Sequence, residues 1–129
     1  VRLFRSFVTV GFPTRGGGLV RRRCMADSGS PLSVVPYDIW KKRNLAWSSV
    51  SKTLAVAGQP AALTWQGVPC ELGFMDVELA GVRKLTAKFA MQPTPLAEVI
   101  LGLNFITDNE IELVLRGDPN ALSGFFSLP

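Results

Sequence analysis

The chain has 129 residues, of which 47% are hydrophobic and 19% charged, so it predicts one globular domain over residues 1–129 and argues against intrinsic disorder. Its net charge is +4, but the basic residues are scattered apart from short clusters at 21–23 and 41–43, and no nucleic-acid partner is expected. The chain contains no histidine, which excludes Ser-His-Asp and Cys-His nucleophiles and every metal site with a histidine ligand.

The first third of the chain predicts a β-hairpin followed by a short helix. Residues 7–12 and 19–26 are strand-like runs, and residues 13–18, with three consecutive glycines, predict the turn between them. After an extended stretch at 32–35, Pro36 fits the start of a helix over 37–43, because its fixed φ and missing N–H suit the first helical position.

The rest of the chain is dominated by short apolar or β-branched runs between glycines and prolines, which makes the predicted fold class all-β with one or two short helices. The predicted elements are a hairpin with arms at 54–56 and 61–65 around a tip at 58–60, strands at 74–79 and 85–91, an apolar run at 99–101, a helix at 103–108, and strands at 111–115 and 125–128.

The two cysteines, Cys24 and Cys70, fit no metal motif and are either free thiols or one disulfide. Cys24 lies in an apolar strand and is expected to be a small buried hydrophobe. No apolar run reaches the roughly 20 residues that span a bilayer, so no membrane segment is expected. No secretory leader is visible, we favour a cytoplasmic location, and we expect neither a metal nor a cofactor.

The strongest candidate for chemistry is Asp27, which ends an apolar strand and is followed by Ser28 and Gly29. The strand anchors the carboxylate, the serine can hydrogen-bond its neighbours, and the glycine allows a sharp turn. The tripeptide alone arises by chance in about one chain in twenty of this composition, and taken by itself an ordinary turn after a strand is the better explanation of it.

The residues around this tripeptide, and a second segment later in the chain, strengthen the prediction that Asp27 is catalytic. The segment 24–30 reads Cys-Met-Ala-Asp-Ser-Gly-Ser and is followed by Ser-Val-Val-Pro at 33–36, and the later block 99–106 reads Val-Ile-Leu-Gly-Leu-Asn-Phe-Ile. The two blocks, about seventy residues apart, resemble the active-site and supporting segments of the retropepsin-like aspartic proteases, which are single-domain and dimeric. The resemblance covers roughly residues 7–115 and implies a closed or partly open β-barrel with a flap hairpin.

The resemblance also implies roles for particular residues. Asp27 is the catalytic acid and base, and its partner carboxylate is the Asp27 of a second copy in a homodimer. Ser28, Gly29, Ser30 and Gly102 support the active-site loop, and a flap over the substrate is expected at Val56, Ala57, Gly58 and Gln59. The implied function is hydrolysis of peptide bonds in a peptide or protein substrate by water activated between two carboxylates that share one proton.

Two alternatives remain open at this point. The first is a non-catalytic dimer or peptide-binding module on the same fold, in which Asp27 has no useful activity. The second is a basic protein that binds nucleic acid through residues 21–23. Asp108 lies past the second block and is not expected to be the second catalytic carboxylate.

Overall fold

The computed structural model describes residues 5–27, 29–49, 55–56, 59–60, 64–65, 67–79, 81, 83–93, 98–117 and 122–127. About 55% of the chain is in strands, and the helices are few and short, as the all-β prediction requires. The described elements, in chain order, are β1 (Arg5–Pro13), β2 (Leu19–Asp27), β3 (Val34–Val35), α1 (Tyr37–Trp40), β4 (Ser48–Ser49), β5 (Ala55–Val56), β6 (Gln59–Pro60), β7 (Thr64–Trp65), β8 (Val68–Pro69), β9 (Glu71–Leu79), β10 (Arg83–Met91), β11 (Ile100–Leu101), α2 (Leu103–Asp108), β12 (Glu112–Gly117) and β13 (Leu122–Ser127).

The first hairpin forms where the sequence predicts it. β1 pairs antiparallel with β2 from Arg5 opposite Asp27 to Pro13 opposite Leu19. Val10 and Phe12, two positions apart on one face of the strand, are fully buried in the core. The turn between the strands contains Gly17, whose φ of 95° lies in the left-handed region that glycine adopts without steric cost.

The strand pairings close into a ring. The main sheet has the order β1-β2-β11-β3-β10-β9-β4, and an additional pairing of β1 with β9 joins six of these strands into a closed circuit. β9 and β10 form a long antiparallel hairpin in which Met75, Val77 and Leu79 face inward. The core inside this ring is apolar and aromatic, with the ring of Phe89 packed against those of Phe12 and Phe105.

Helix α1 is shorter than the predicted 37–43, although helical hydrogen bonds continue past Trp40 to Arg43, whose N–H donates to Ile39 O at 3.0 Å. Residues 41–44 form turns, and Asn44 has a φ of 52°. A residue in the left-handed region commonly ends a helix, and Leu45 N–H then donates to Trp40 O at 3.1 Å. By contrast, α2 runs over Leu103–Asp108, as predicted.

The predicted hairpin at 54–65 differs in its pairing. β5 pairs with β6, so that Val56 lies opposite Gln59, whereas Trp65 pairs with Val68 in a separate hairpin of β7 and β8. The expected arm at 61–65 was therefore wrong. Ala57 and Gly58, which the sequence places between Val56 and Gln59, lie outside the described residues.

Both cysteines are free thiols, which settles the alternative that the sequence left open. Cys24 is fully buried among apolar side chains, as expected, and burial raises the pKa of its thiol from the usual 9.0 to about 12. Within the described part of the chain, neither helix has the length and apolar character needed to cross a bilayer.

Candidate active site

Asp27 occupies the last position of β2, where the strand is held on both sides. β1 pairs with it along its whole length, and β11 pairs parallel with its final residues, placing Ile100 beside Met25 and Leu101 beside Ala26. The Met25 N–H also donates to Val99 O at 2.9 Å. The carboxylate therefore extends from a strand end that is fixed by backbone hydrogen bonds on both edges.

The loop after Asp27 is organised by the carboxylate itself. One oxygen, Oδ1, accepts the N–H of Gly29 at 2.9 Å, and the Asp27 carbonyl accepts the N–H of Ser30 at 3.1 Å. The Ser30 hydroxyl then donates to Leu32 O at 2.6 Å. Asp27 is 8% exposed, so its orientation is set by the protein more than by solvent.

Buried polarity is concentrated in this loop. Among the described residues, four polar or charged side chains are buried, and three of them are Asp27, Ser30 and Ser33. A buried polar group is costly unless it is hydrogen-bonded, and all three have partners. Three buried and hydrogen-bonded polar side chains in one loop give it a fixed conformation, and they set it apart from the largely apolar interior.

The second block supports the loop from below. β11 lies between β2 and β3, pairing antiparallel with β3 through Ile100 and Val34. At the start of α2, Leu103 N–H donates to Ser30 O at 2.8 Å and Asn104 N–H to Pro31 O at 3.3 Å. Two segments about seventy residues apart in sequence are thereby joined directly beneath the carboxylate.

The space at position 102 is too small for any side chain. A Cβ added there would lie 2.6 Å from Ser30 O and closer still to the carbonyl oxygen of Leu32. Its φ of −90° is open to any residue, so the constraint is the close approach of the loop backbone and not an unusual conformation. This geometry gives a physical reason for the glycine in the second block, which sequence reasoning had placed in the site.

Ser33 is a site residue to which sequence reasoning gave no role. It is fully buried, its hydroxyl accepts the N–H of Gly102 at 2.9 Å, and it donates to Asn104 Oδ1 at 2.7 Å. Asn104 Nδ2 continues the chain of hydrogen bonds to Lys88 O at 3.0 Å. Ser33 and Asn104 both lie in segments that the sequence analysis singled out. No local sequence pattern, however, predicts a contact between two side chains that are 71 positions apart.

The other predicted site residues are distributed as follows. Gly29 is exposed and Ser30 is buried in the loop, whereas Ser28 lies outside the described residues. Of the predicted flap, Val56 and Gln59 face each other as the last and first residues of β5 and β6. The placement of the flap over a substrate stays a prediction.

Two further aspartates of the described chain lie on the helices. Asp108 ends α2 and is exposed, and Asp38 lies in α1. Among the described residues, no group of three or more Cys, Asp and Glu side chains is arranged to hold a metal ion.

A carboxylate on a rigid strand end can accept a proton from water, and amide hydrolysis by this chemistry also needs a second carboxylic acid. The motif Asp-Ser/Thr-Gly occurs once in the sequence. Comparison of the chain with known protein families, with curated proteins and with solved structures returns no match.

Proposed function

We propose that the protein is an aspartic endopeptidase of the retropepsin-like type, active as a homodimer in which each copy contributes one Asp27. The observation that carries the proposal is the loop geometry. Asp27 ends a strand paired on both edges, and its loop rests on Gly102 with no space for a side chain between them. This support by the second block is what the resemblance of the two segments implies.

The proposed chemistry needs two carboxylates at hydrogen-bond distance. Two like charges that close cannot both ionise, so the pair shares one proton. The ionised carboxylate takes a proton from water while the water oxygen attacks the peptide carbonyl carbon, and the protonated carboxylate gives its proton to the carbonyl oxygen. The carboxyl that took the proton from water then gives it to the amide nitrogen, while the other carboxylate takes a proton from a hydroxyl of the tetrahedral intermediate. The carbon–nitrogen bond breaks, and the two carboxylates again hold one proton.

A homodimer supplies the second carboxylate economically. In an isologous interface, the same surface of both copies meets across a two-fold axis, so a residue on the axis faces its own copy. The β5–β6 hairpin is the proposed lid, because it lies between the two blocks in sequence, where the resemblance implies a flap that closes over a bound peptide and excludes water.

The direct test is cleavage of a denatured protein at about pH 4–6 by the wild type and by Asp27→Asn. We expect the variant to lose at least about 1,000-fold in rate, because the amide cannot act as a base. Asp108→Asn is the matched control, since that exposed carboxylate should leave the rate unchanged. Equal rates for wild type and Asp27→Asn would refute the proposal, and no cleavage by dimeric wild type would favour a peptide-binding module.

A mixing experiment tests the shared site separately. When wild type is equilibrated with a ninefold excess of Asp27→Asn, random pairing leaves about one tenth of the wild-type chains in dimers with two carboxylates. Activity per wild-type chain should fall to about that fraction. Undiminished activity in the mixture would mean that one chain holds a complete site.

A further inference from the structure

Strand β2 has one edge that is only partly covered. β1 pairs with β2 over its whole length, whereas β11 pairs with the opposite edge only at Met25 and Ala26. Among the residues that the structure describes, no strand pairs with that second edge between Leu19 and Cys24, and we call this stretch the open edge. At the usual rise of a strand it is about 17 Å long, which is enough for an added strand of about six residues.

The open edge presents main-chain donors and acceptors. The Met25 N–H points to the β11 side, where it donates to Val99 O at 2.9 Å. Successive residues of a strand direct their main-chain groups to opposite edges, so the N–H and C=O of Arg21 and Arg23 face the same side as those of Met25. These four groups lie where a further strand would form its hydrogen bonds with β2.

Three consecutive arginines line the open edge. Arg21, Arg22 and Arg23 are all exposed, and 63% of the Arg21 side chain is accessible to solvent. Because side chains alternate along a strand, Arg21 and Arg23 lie on one face of the sheet and Arg22 on the other. The Arg23 guanidinium lies 4.0 Å over the ring of Phe7, which holds it beside the strand without neutralising its charge.

Few acidic side chains offset this charge. β1 contains no acidic residue, and in β2 the one acidic residue is Asp27 at its far end. The Glu78 carboxylate lies 3.6 Å from the Arg21 guanidinium, and an exposed ion pair of this kind is weak. Glu98, which is exposed two residues before β11 begins, makes no ion pair with the three arginines in the described part of the chain. The open edge is therefore positively charged.

The charge of the open edge selects its occupant. Charged side chains on an edge strand protect it from pairing with a second copy, and two β2 strands side by side would bring arginines against arginines. A strand that carries carboxylates meets the opposite situation, because a guanidinium can pair with a carboxylate through two parallel hydrogen bonds. The main chain then adds hydrogen bonds that do not depend on sequence. The same three side chains thus disfavour a second copy and favour an acidic partner.

We propose that an acidic, extended segment of a partner protein adds to β2 as a further strand along the open edge. Its main chain bonds to Arg21 and Arg23, and its carboxylates pair with the guanidinium groups. The inference does not rest on the proposed function, because the open edge is separate from the strand end that holds the candidate catalytic residue. Four positions, or about 13 Å along the strand, separate Arg23 from Asp27.

The test is the binding of a fluorescently labelled peptide of alternating Glu and Thr, about eight residues long, to the full chain at fixed low salt. The matched peptide has Gln in place of Glu, and we expect it to bind at least about tenfold more weakly. The double variant Arg21→Gln/Arg23→Gln should weaken binding of the acidic peptide by a similar factor. Lys41→Gln/Lys42→Gln removes the same charge from an exposed turn and should leave the dissociation constant within about twofold.

N-methylated peptides distinguish strand addition from simple charge attraction. In a paired strand every second N–H faces the neighbouring strand. Methylation of one alternate set of peptide nitrogens should therefore abolish binding, whereas methylation of the other set should be tolerated. Hydrogen exchange gives a second readout, because the amides of Arg21 and Arg23 should exchange more slowly in the complex. The Arg22 amide, which faces β1, should change little.

Three results would overturn the proposal. The first is binding that tolerates both methylated sets equally or leaves the exchange of the Arg21 and Arg23 amides unchanged. The second is an equal loss of affinity in the two double variants. The third is tighter binding of an oligothymidine of about eight nucleotides through the same arginines, which would identify a nucleic-acid site in place of strand addition. Circular dichroism checks that the variants fold, and the peptide comparisons need wild type alone.

Discussion

Replacing Gly102 by alanine tests the central structural claim, that the second block supports the catalytic loop by direct backbone contact. The added methyl group would lie 2.6 Å from Ser30 O and nearer to Leu32 O, both of which are main-chain atoms. Neither can be relieved by a side-chain rotation. The loop or β11 must therefore move by roughly 1 Å to restore ordinary van der Waals separation.

The magnitude follows from what that movement disturbs. Forcing an additional methyl group into a packed region costs about 1–3 kcal/mol. The displaced atoms also take part in hydrogen bonds, from Leu103 N–H to Ser30 O and from Gly102 N–H to the Ser33 hydroxyl, each contributing about 1 kcal/mol. We expect Gly102→Ala to lower the free energy of unfolding by about 3 kcal/mol in total.

The assay is equilibrium urea unfolding, followed by the cleavage assay. With a slope of about 2 kcal/mol per molar urea, the unfolding midpoint should fall by about 1.5 M. Because a displacement of about 1 Å at a catalytic group can cost 100-fold in rate, activity should fall by a similar factor even in folded protein.

The matched control for this experiment is Gly16→Ala. Gly16 lies in the first hairpin turn, where an added Cβ would meet nothing closer than Thr14 Oγ1 at 3.9 Å, and its stability should change by less than about 1 kcal/mol. A Gly102→Ala protein with the wild-type urea midpoint would refute the reasoning about close backbone approach.

Further outcomes follow from the buried groups. Ser33→Ala should lower the free energy of unfolding by about 1–3 kcal/mol, because the Gly102 N–H and Asn104 Oδ1 lose their hydrogen-bond partner. The measurement is urea unfolding, and a loss under about 0.5 kcal/mol would contradict this prediction. A thiol reagent at about pH 8 should modify only Cys70 in the folded protein and both cysteines after unfolding. The reason is that burial raises the pKa of the Cys24 thiol to about 12. Rapid reaction of two thiols in the native state would contradict this prediction. Between about pH 9 and 12 the folded chain keeps a Cys24 proton that the unfolded chain releases, so stability should fall as pH rises, and Cys24→Ala should flatten that slope.

Much of the fold could be read from local patterns. The strand-like runs at 7–12, 19–26, 74–79 and 85–91 and the glycines at 16–18 predicted the strands of the two long hairpins and the first turn, because strand patterns and tight turns depend on neighbouring residues. The extent of α2 was predicted residue by residue. The position of Asp27 at a strand end was also predicted, because an apolar run stops there and a glycine follows.

Where local patterns failed, a tertiary or conformational preference prevailed. Helix α1 covers Tyr37–Trp40 instead of 37–43, and the turns after it end at Asn44 in the left-handed conformation, which the sequence permits but does not require. The arm expected at 61–65 pairs elsewhere because short apolar runs carry no information about which partner they choose.

The sequence by itself determined the all-β class, the faces of the long strands and the candidate carboxylate Asp27 in its turn. The tertiary structure decided which strands are neighbours, inserting β11 between β2 and β3 and closing the ring through β1 and β9. It also decided why residue 102 must be glycine and why Ser33 belongs to the site. The physical reason is that turns and periodicity act over a few residues, whereas these contacts join backbone and side chains about seventy positions apart, which packing alone brings together.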